Sequence, residues 1–214
     1  MEEVRIPYLR VLDDTSSHYG GNQSWDPKKA VRKSACGPVA ATGLICYVQG
    51  ENEIERDEFM QKFTKLRRVY FPILPYLGSS GISIAAGLNV YFMVHRMPYH
   101  ARWCISGRRM PQRIETMLSL DIPVILCIGN HMPKFWKNGK LKLYQKNPDG
   151  TMRVYTKTSA HFVTVTEMDD TWMTVSSWGK KLYISREEWK KYVRSCSCSA
   201  LSNIVYIRKC GTKK

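Results

Sequence analysis

The hydrophobic pattern of this 214-residue chain changes period near Asp121, and that change limits the folds open to it. Before it, apolar residues recur at helical spacing. Val39, Leu44, Ile45 and Val48 follow Cys36, with Gly50 as a stop, and Phe59, Phe63 and Leu66 share one face of residues 54–67. Pro72 and Pro75 then break the pattern. Residues 80–94, rich in small side chains, predict a third helix, expected to be buried. Residues 111–120 predict a fourth, opened by a proline that suits a first helical position. After Asp121 the runs are strand-length. Residues 123–128 are continuously apolar, and 140–146 and 151–157 flank the hairpin signal Asn147-Pro148-Asp149-Gly150. Residues 161–168 and 171–177 follow, joined by Asp169-Asp170. The short run 182–184 leads through the capping-box pattern Ser185-Arg186-Glu187-Glu188 into a helix, and 203–209 is a closing strand. The first 30 residues read as extended and loop-like. Helices followed by strands predict an α+β fold in one domain, 1–214. Its helical lobe, about 30–120, packs on an antiparallel sheet lobe, about 121–210.

A hydrophobic content of 43% allows a sizeable core, and no apolar run approaches the length of a membrane span. Met1-Glu2-Glu3-Val4-Arg5 carries acids where a signal peptide needs a basic run, so a cytoplasmic protein is expected. The seven cysteines, at 36, 46, 104, 127, 196, 198 and 210, are odd in number and form no paired CxxC knuckles. That argues for reduced thiols, against a disulfide framework or structural zinc, and implies no metal or organic cofactor. The formal net charge of +15 is distributed among Lys28-Lys29, Arg67-Arg68, Arg108-Arg109, residues 137–142, Lys180-Lys181, Lys190-Lys191 and Lys213-Lys214. A solvated basic surface accounts for it. An acidic substrate or partner is an alternative, and nucleic acid finds no supporting motif.

Chemistry concentrates in three segments. In Ser34-Ala35-Cys36-Gly37-Pro38-Val39-Ala40-Ala41 a cysteine opens a predicted helix. Unsatisfied amides there stabilise a thiolate and can hold an oxyanion, although a buried small cysteine is the plainer reading of this segment alone. His161 begins an alternating strand, where its imidazole can sit at the lip of a cleft. Val175-Ser176-Ser177-Trp178-Gly179 ends the next strand, beside it across a hairpin. Tryptophans 136, 172 and 189 read as packing.

In this order the segments resemble the papain-like cysteine peptidases, and more closely the branch holding the bacteriocin-leader peptidases and their stand-alone bacterial relatives. The resemblance spans roughly residues 20–190. It rests on Cys36-Gly37-Pro38, Ile122-Pro123-Val124-Ile125, Ala160-His161-Phe162-Val163 and Ser176-Ser177-Trp178-Gly179. It implies a thiol hydrolase acting on a peptide or protein substrate, with Cys36 as nucleophile, His161 as general base and Ser176 orienting the imidazole. Trp178 would shield that contact, and Gly37, Trp178 and His131 are the candidates for substrate contact. Two positions depart from the family. Ser176 stands where asparagine or aspartate is usual, and Ala30 stands where a glutamine usually donates to the oxyanion. Gln23, 13 residues before Cys36, is the substitute, provided the insertion at 25–32 lets it reach. These departures leave open a catalytically weakened fold that binds a peptide or acidic partner. Acyl transfer by the same residues is also open.

Overall fold

Helix α2 (Cys36–Val48) is apolar around its whole circumference, as a helix buried on all sides must be, and every residue from Gly37 to Tyr47 is buried. The structure is a computed structural model that describes residues 1–73, 78–104, 106, 109–129 and 139–210. His131 and Trp136 lie outside those residues. One side of α2, with Ala41, Leu44 and Ile45, packs into a core shared with the large sheet. The other, with Val39, Cys46 and Tyr47, joins a second core around Tyr8, Leu9, Val11, Phe59 and Phe63. The helix ends as expected at Gly50, whose φ of 80° permits a paired closure: Gly50 N–H donates to Tyr47 O and Glu51 N–H to Cys46 O.

Helix α3 (Arg56–Val69) buries Phe59, Phe63 and Leu66 on one face, as their spacing predicts. It starts two residues late because Ile54 lies in a strand, β4 (Glu53–Glu55), that runs parallel to β2 (Arg10–Asp13). The first 30 residues are more ordered than their punctuation suggests. β2 forms a hairpin with β3 (Ser16–Tyr19), closed by Asp13 Oδ1 accepting from Thr15 and Ser16 N–H. A 3-10 turn (Gln23–Trp25) and helix α1 (Lys29–Ser34) follow. Elements of three to six residues are too short to display a period. Helix α4 (Gly81–Val94) is capped by Ser80 and Ser83. It is only half buried, against expectation: Ile84, Leu88 and Phe92 face the core while Ile82, Val90, Met93 and Val94 are exposed. Helix α5 (Met110–Ser119) takes Pro111 in its first turn.

The large sheet is antiparallel throughout. Along it run β5 (Tyr99–Cys104), β12 (Asn203–Lys209), β6 (Val124–Ile128), β9 (His161–Met168), β10 (Trp172–Ser177), β11 (Lys180–Ser185), β7 (Leu141–Lys146) and β8 (Met152–Thr158). β1 (Glu2–Glu3) pairs with the far end of β9. β6 is buried along its full length, which is why its sequence is an unbroken apolar run. β5 comes from inside the helical half of the sequence and went unpredicted. Its residues do alternate, Tyr99, Ala101 and Trp103 against the exposed His100 and Arg102, but only Ala101 of the six is fully buried. Helix α6 (Arg186–Ser195) follows β11 with half of the expected capping box. Ser185 Oγ accepts from Glu188 N–H, but the Glu188 carboxylate accepts instead from Lys142 Nζ at 2.8 Å and Tyr144 OH at 2.9 Å. Helices α2, α4 and α5 pack on this antiparallel sheet, and α3 on the small sheet of β2 to β4, an α+β arrangement.

One residue ties the N-terminus to both halves. Asp121, at a φ of 61°, accepts from Arg5 N–H at 2.6 Å and Tyr47 OH at 2.8 Å. Asp121→Ala removes a charged acceptor from a partly buried phenol, so a loss of about 2 kcal/mol is expected in urea unfolding. Asp121→Asn, which keeps an acceptor and tolerates the left-handed backbone, should lose less than about 1 kcal/mol.

Candidate active site

Helix α2 begins at Cys36. Ala35 precedes it, no side chain caps the first turn, and Pro38 has no N–H, so the open amides are those nearest the sulfur. Burial pushes the Cys36 thiol up, while the backbone N–H groups of Phe162, Gly37 and Cys36 itself act against that by favouring the thiolate. The Phe162 amide reaches the sulfur because α2 packs on β9.

His161 opens β9 opposite Ile128 of β6 and is only 5% exposed. Its Nε2 lies 2.7 Å from Ser177 Oγ. Its ring stacks on the Trp178 indole with centroids 4.0 Å apart and planes 9° from parallel. Burial alone drives its pKa down to about 3. The imidazole and the thiol are therefore both held in their neutral forms, and the thiolate expected from the helix terminus is not the resting species.

The turn that supplies Trp178 has positive φ at both central residues, 50° at Trp178 and 70° at Gly179. That is the two-residue hairpin geometry that matches strand twist. A bulky residue there carries strain of order 1 kcal/mol, and in exchange its indole covers the His161–Ser177 contact. Gly179 also pins the turn to the N-terminal segment: its N–H donates to Gly21 O at 3.1 Å, and its carbonyl accepts from Tyr19 N–H at 2.9 Å.

Ser176, expected to orient the imidazole, does something else. Its hydroxyl donates to Tyr19 O at 2.7 Å, packed so closely on Gly20 that a Cβ there would meet Ser176 Oγ at 2.3 Å. Adjacent strand residues point to opposite sides. Ser176 stands across from Thr164, and Ser177 across from Lys180. The oxygen beside His161 is therefore one residue later than the family pattern suggested. Asp169 and Asp170 are at the far end of the β9–β10 hairpin, where Asp169 Oδ1 accepts from Thr171 and Trp172 N–H.

Gln23 does reach the site. It borders one small cavity together with Cys36, His161, Ser177 and Trp178. The 25–32 insertion is folded: it runs into α1, whose Arg32 carbonyl accepts from Gln23 Nε2 at 2.7 Å, which leaves the second amide hydrogen of Nε2 without a partner among the described residues. Ala30 is exposed on α1. Phe59 buttresses the preceding segment, since any side chain at Gly21 would meet its ring at 2.2 Å. Gly37 is not on the cavity wall. A Cβ there would press on Ile84, Ser79 and Phe162 at 3.1–3.3 Å, so close packing of α2, rather than substrate approach, explains the glycine. The cavity is about 20 Å³, room for one water and not for a peptide. Among the described residues no group of three or more His, Cys, Asp or Glu converges, and no helix is long and apolar enough to cross a membrane.

Sequence reasoning missed Ser177 and the Tyr19–Gly21 anchor. Strand parity counted back from the Trp178-Gly179 turn was the signal for the first. The second carries no local signal, because it is a contact between segments more than 150 residues apart.

No family model matches the chain, and no curated protein matches it in sequence. Among solved structures it is similar to a putative C39-like peptidase from Bacillus anthracis, with a TM-score of 0.54 at 10% identity, covering 97% of this chain and 98% of that one. The peptidase domain of Streptococcus ComA, a bifunctional ABC transporter involved in a quorum-sensing pathway, aligns at a TM-score of 0.43 and 11% identity, covering 85% of this chain and 94% of that one. The second score is too low to add to the first. The fold is the papain-like fold of the C39-like peptidases.

Proposed function

We propose that the protein is a cysteine peptidase in which Cys36 attacks a peptide carbonyl and His161 carries the proton. One observation supports this above the rest: a cysteine at an uncapped helix start shares a cavity with a histidine held by a hydroxyl under an indole. With Nε2–H donated to Ser177 Oγ, the lone pair sits on Nδ1, the form a general base requires. The pair begins neutral, so the thiol proton passes to Nδ1 as the S–C bond forms. In this reading the Cys36 backbone N–H and the second Gln23 amide hydrogen are the donors to the developing oxyanion. The imidazolium then protonates the leaving amine, and water releases the acyl group from sulfur by the reverse transfer. An amine in place of that water gives acyl transfer by the same steps.

A second reading, a papain-like fold that binds peptide without cutting it, is favoured by the narrow cavity and by the single serine hydroxyl on His161. Digestion of a proteome-derived peptide library by wild type and Cys36→Ala, read as new termini by mass spectrometry, separates the two. New termini from wild type alone are the expected result; identical libraries would establish the binding fold. On a peptide so identified, Ser177→Ala should lower kcat about ten- to a hundredfold, part of the 10²–10⁴ that general base catalysis contributes. KM should be unchanged and the acid limb of the pH–rate profile displaced. Ser176→Ala should leave that profile in place.

A further inference from the structure

An open groove of about 520 Å³ begins at the indole that covers His161 and is bounded by Asn22, Ser24, Tyr155, Thr156, Trp178 and Lys180. One wall is the end of the sheet. β8 is the last strand along it, so among the described residues its outer backbone groups have no strand partner. The register with β7 slips between Leu143 and Tyr144, leaving Tyr155 as an extra residue on β8. A bulge of this kind re-aims the side chain it carries. Here it brings the Tyr155 ring under Lys180, whose Nζ lies 4.7 Å from the ring centroid.

The cation that borders the groove is Lys180. Lys180 stands across from Ser177 and so emerges on the face of the sheet that carries the hydroxyl on His161. Arg153 and Thr156 pair with Gln145 and Leu143, which puts Arg153 on that same face farther along β8. Neither Lys180 nor Arg153 pairs with a carboxylate among the described residues, whereas the neighbouring Lys181, on the opposite face, is neutralised by Glu167. Lys28, Lys29, Arg32 and Lys33, which follow Asn22 and Ser24 closely in sequence, are all exposed. The acid near them, Asp26, is buried and accepts from Lys28 N–H.

We propose that this groove takes an acidic, extended stretch of the substrate, laid along the free edge of β8 with a carboxylate on Lys180. The proposal rests on Cys36 and His161 being the peptide-cleaving pair, and it adds where the substrate runs and which charge it carries. Edge pairing would give register through backbone hydrogen bonds, and the cations would discriminate against neutral or basic sequences.

Binding is measured on the full chain carrying Cys36→Ala, using a rhodamine-labelled decapeptide of alternating Glu and Ala followed by fluorescence anisotropy. The same peptide with Gln for Glu serves as the reference. The expected result is that the acidic peptide binds more tightly, weakens with salt, and loses about tenfold on Lys180→Glu with Arg153→Glu. The control pair Arg102→Glu with Lys209→Glu makes the same change in net charge at exposed sites on β5 and β12, at the other end of the sheet from β8, and should leave affinity within twofold. Equal losses in both pairs would reduce the effect to net charge and overturn the proposal, as would no preference for Glu over Gln. Library digestion is scored separately. Intact binding without cleavage keeps the groove and removes the peptidase; cleavage without acidic binding does the reverse.

Discussion

Replacing His161 by alanine should lower peptide hydrolysis by about 10³-fold, and replacing Cys36 should lower it by 10⁴-fold or more, to the level of the blank. The two losses differ in origin. Without Cys36 there is no atom to form the acyl bond. Without His161 the nucleophile remains, but burial holds the thiol protonated and nothing nearby accepts the proton: among the described residues the imidazole and thiol have no carboxylate beside them. Because the residues act as one unit, the double variant should be no slower than Cys36→Ala alone. kcat/KM for all four proteins, on a peptide found by library digestion, checks this. Additive losses would mean that the two residues do not share a step.

The second large effect is on stability against acid. The imidazole of His161 has a pKa of about 3 in the folded protein, against 6.5 for an ordinary histidine. Between those values the unfolded chain binds a proton that the folded one does not, so unfolding becomes easier as pH falls below about 6.5. At 1.36 kcal/mol per unit, this amounts to about 2 kcal/mol by pH 5. Urea unfolding at pH 7.5 and pH 5 should show wild type losing about that much more than His161→Gln, whose side chain does not titrate. A resting thiolate–imidazolium pair would raise the histidine pKa instead. Stability would then be fully present below pH 6.5 and lost as pH rose through the folded value, so the difference between the two proteins would change sign.

How much of this was legible in the sequence depended on the range of the interaction. Helices α2, α3 and α5 and the strands from β6 onward are written as local periods, and structure and sequence agree on them within two residues. Cys36 and His161 were legible for the same reason: each sits at the first residue of an element whose start is marked. The outcomes that differ turn on position within a period or on distant partners. Ser176 and Ser177 are the same residue type one place apart, and only the register of β10 between β9 and β11 decides which faces the imidazole. The β2–β3 hairpin and α1 are too short to declare themselves, yet they carry Gln23 to the cavity. Half of α4 is apolar and exposed, which no rule of periodicity foretells, since its sequence is hydrophobic on both faces. Whether the thiol is charged was not legible either. The helix terminus favours the thiolate, and burial, which the sequence does not display at one residue, outweighs it.

The central claim, that Cys36 and His161 act as a nucleophile and its base, is tested most directly by iodoacetamide labelling from pH 5 to 9. The modified sites are read by peptide mapping in wild type and His161→Ala. Because thiol and imidazole start neutral and the proton leaves as the S–C bond forms, labelling of Cys36 should change little with pH from 5 to 8, and removing His161 should slow it at least tenfold at pH 6–7 while leaving Cys210, the exposed cysteine, unchanged. If Cys36 reacts only as pH climbs past the ordinary thiol value of about 8.5, and equally fast with and without His161, the pair is not a catalytic one and the peptidase reading fails.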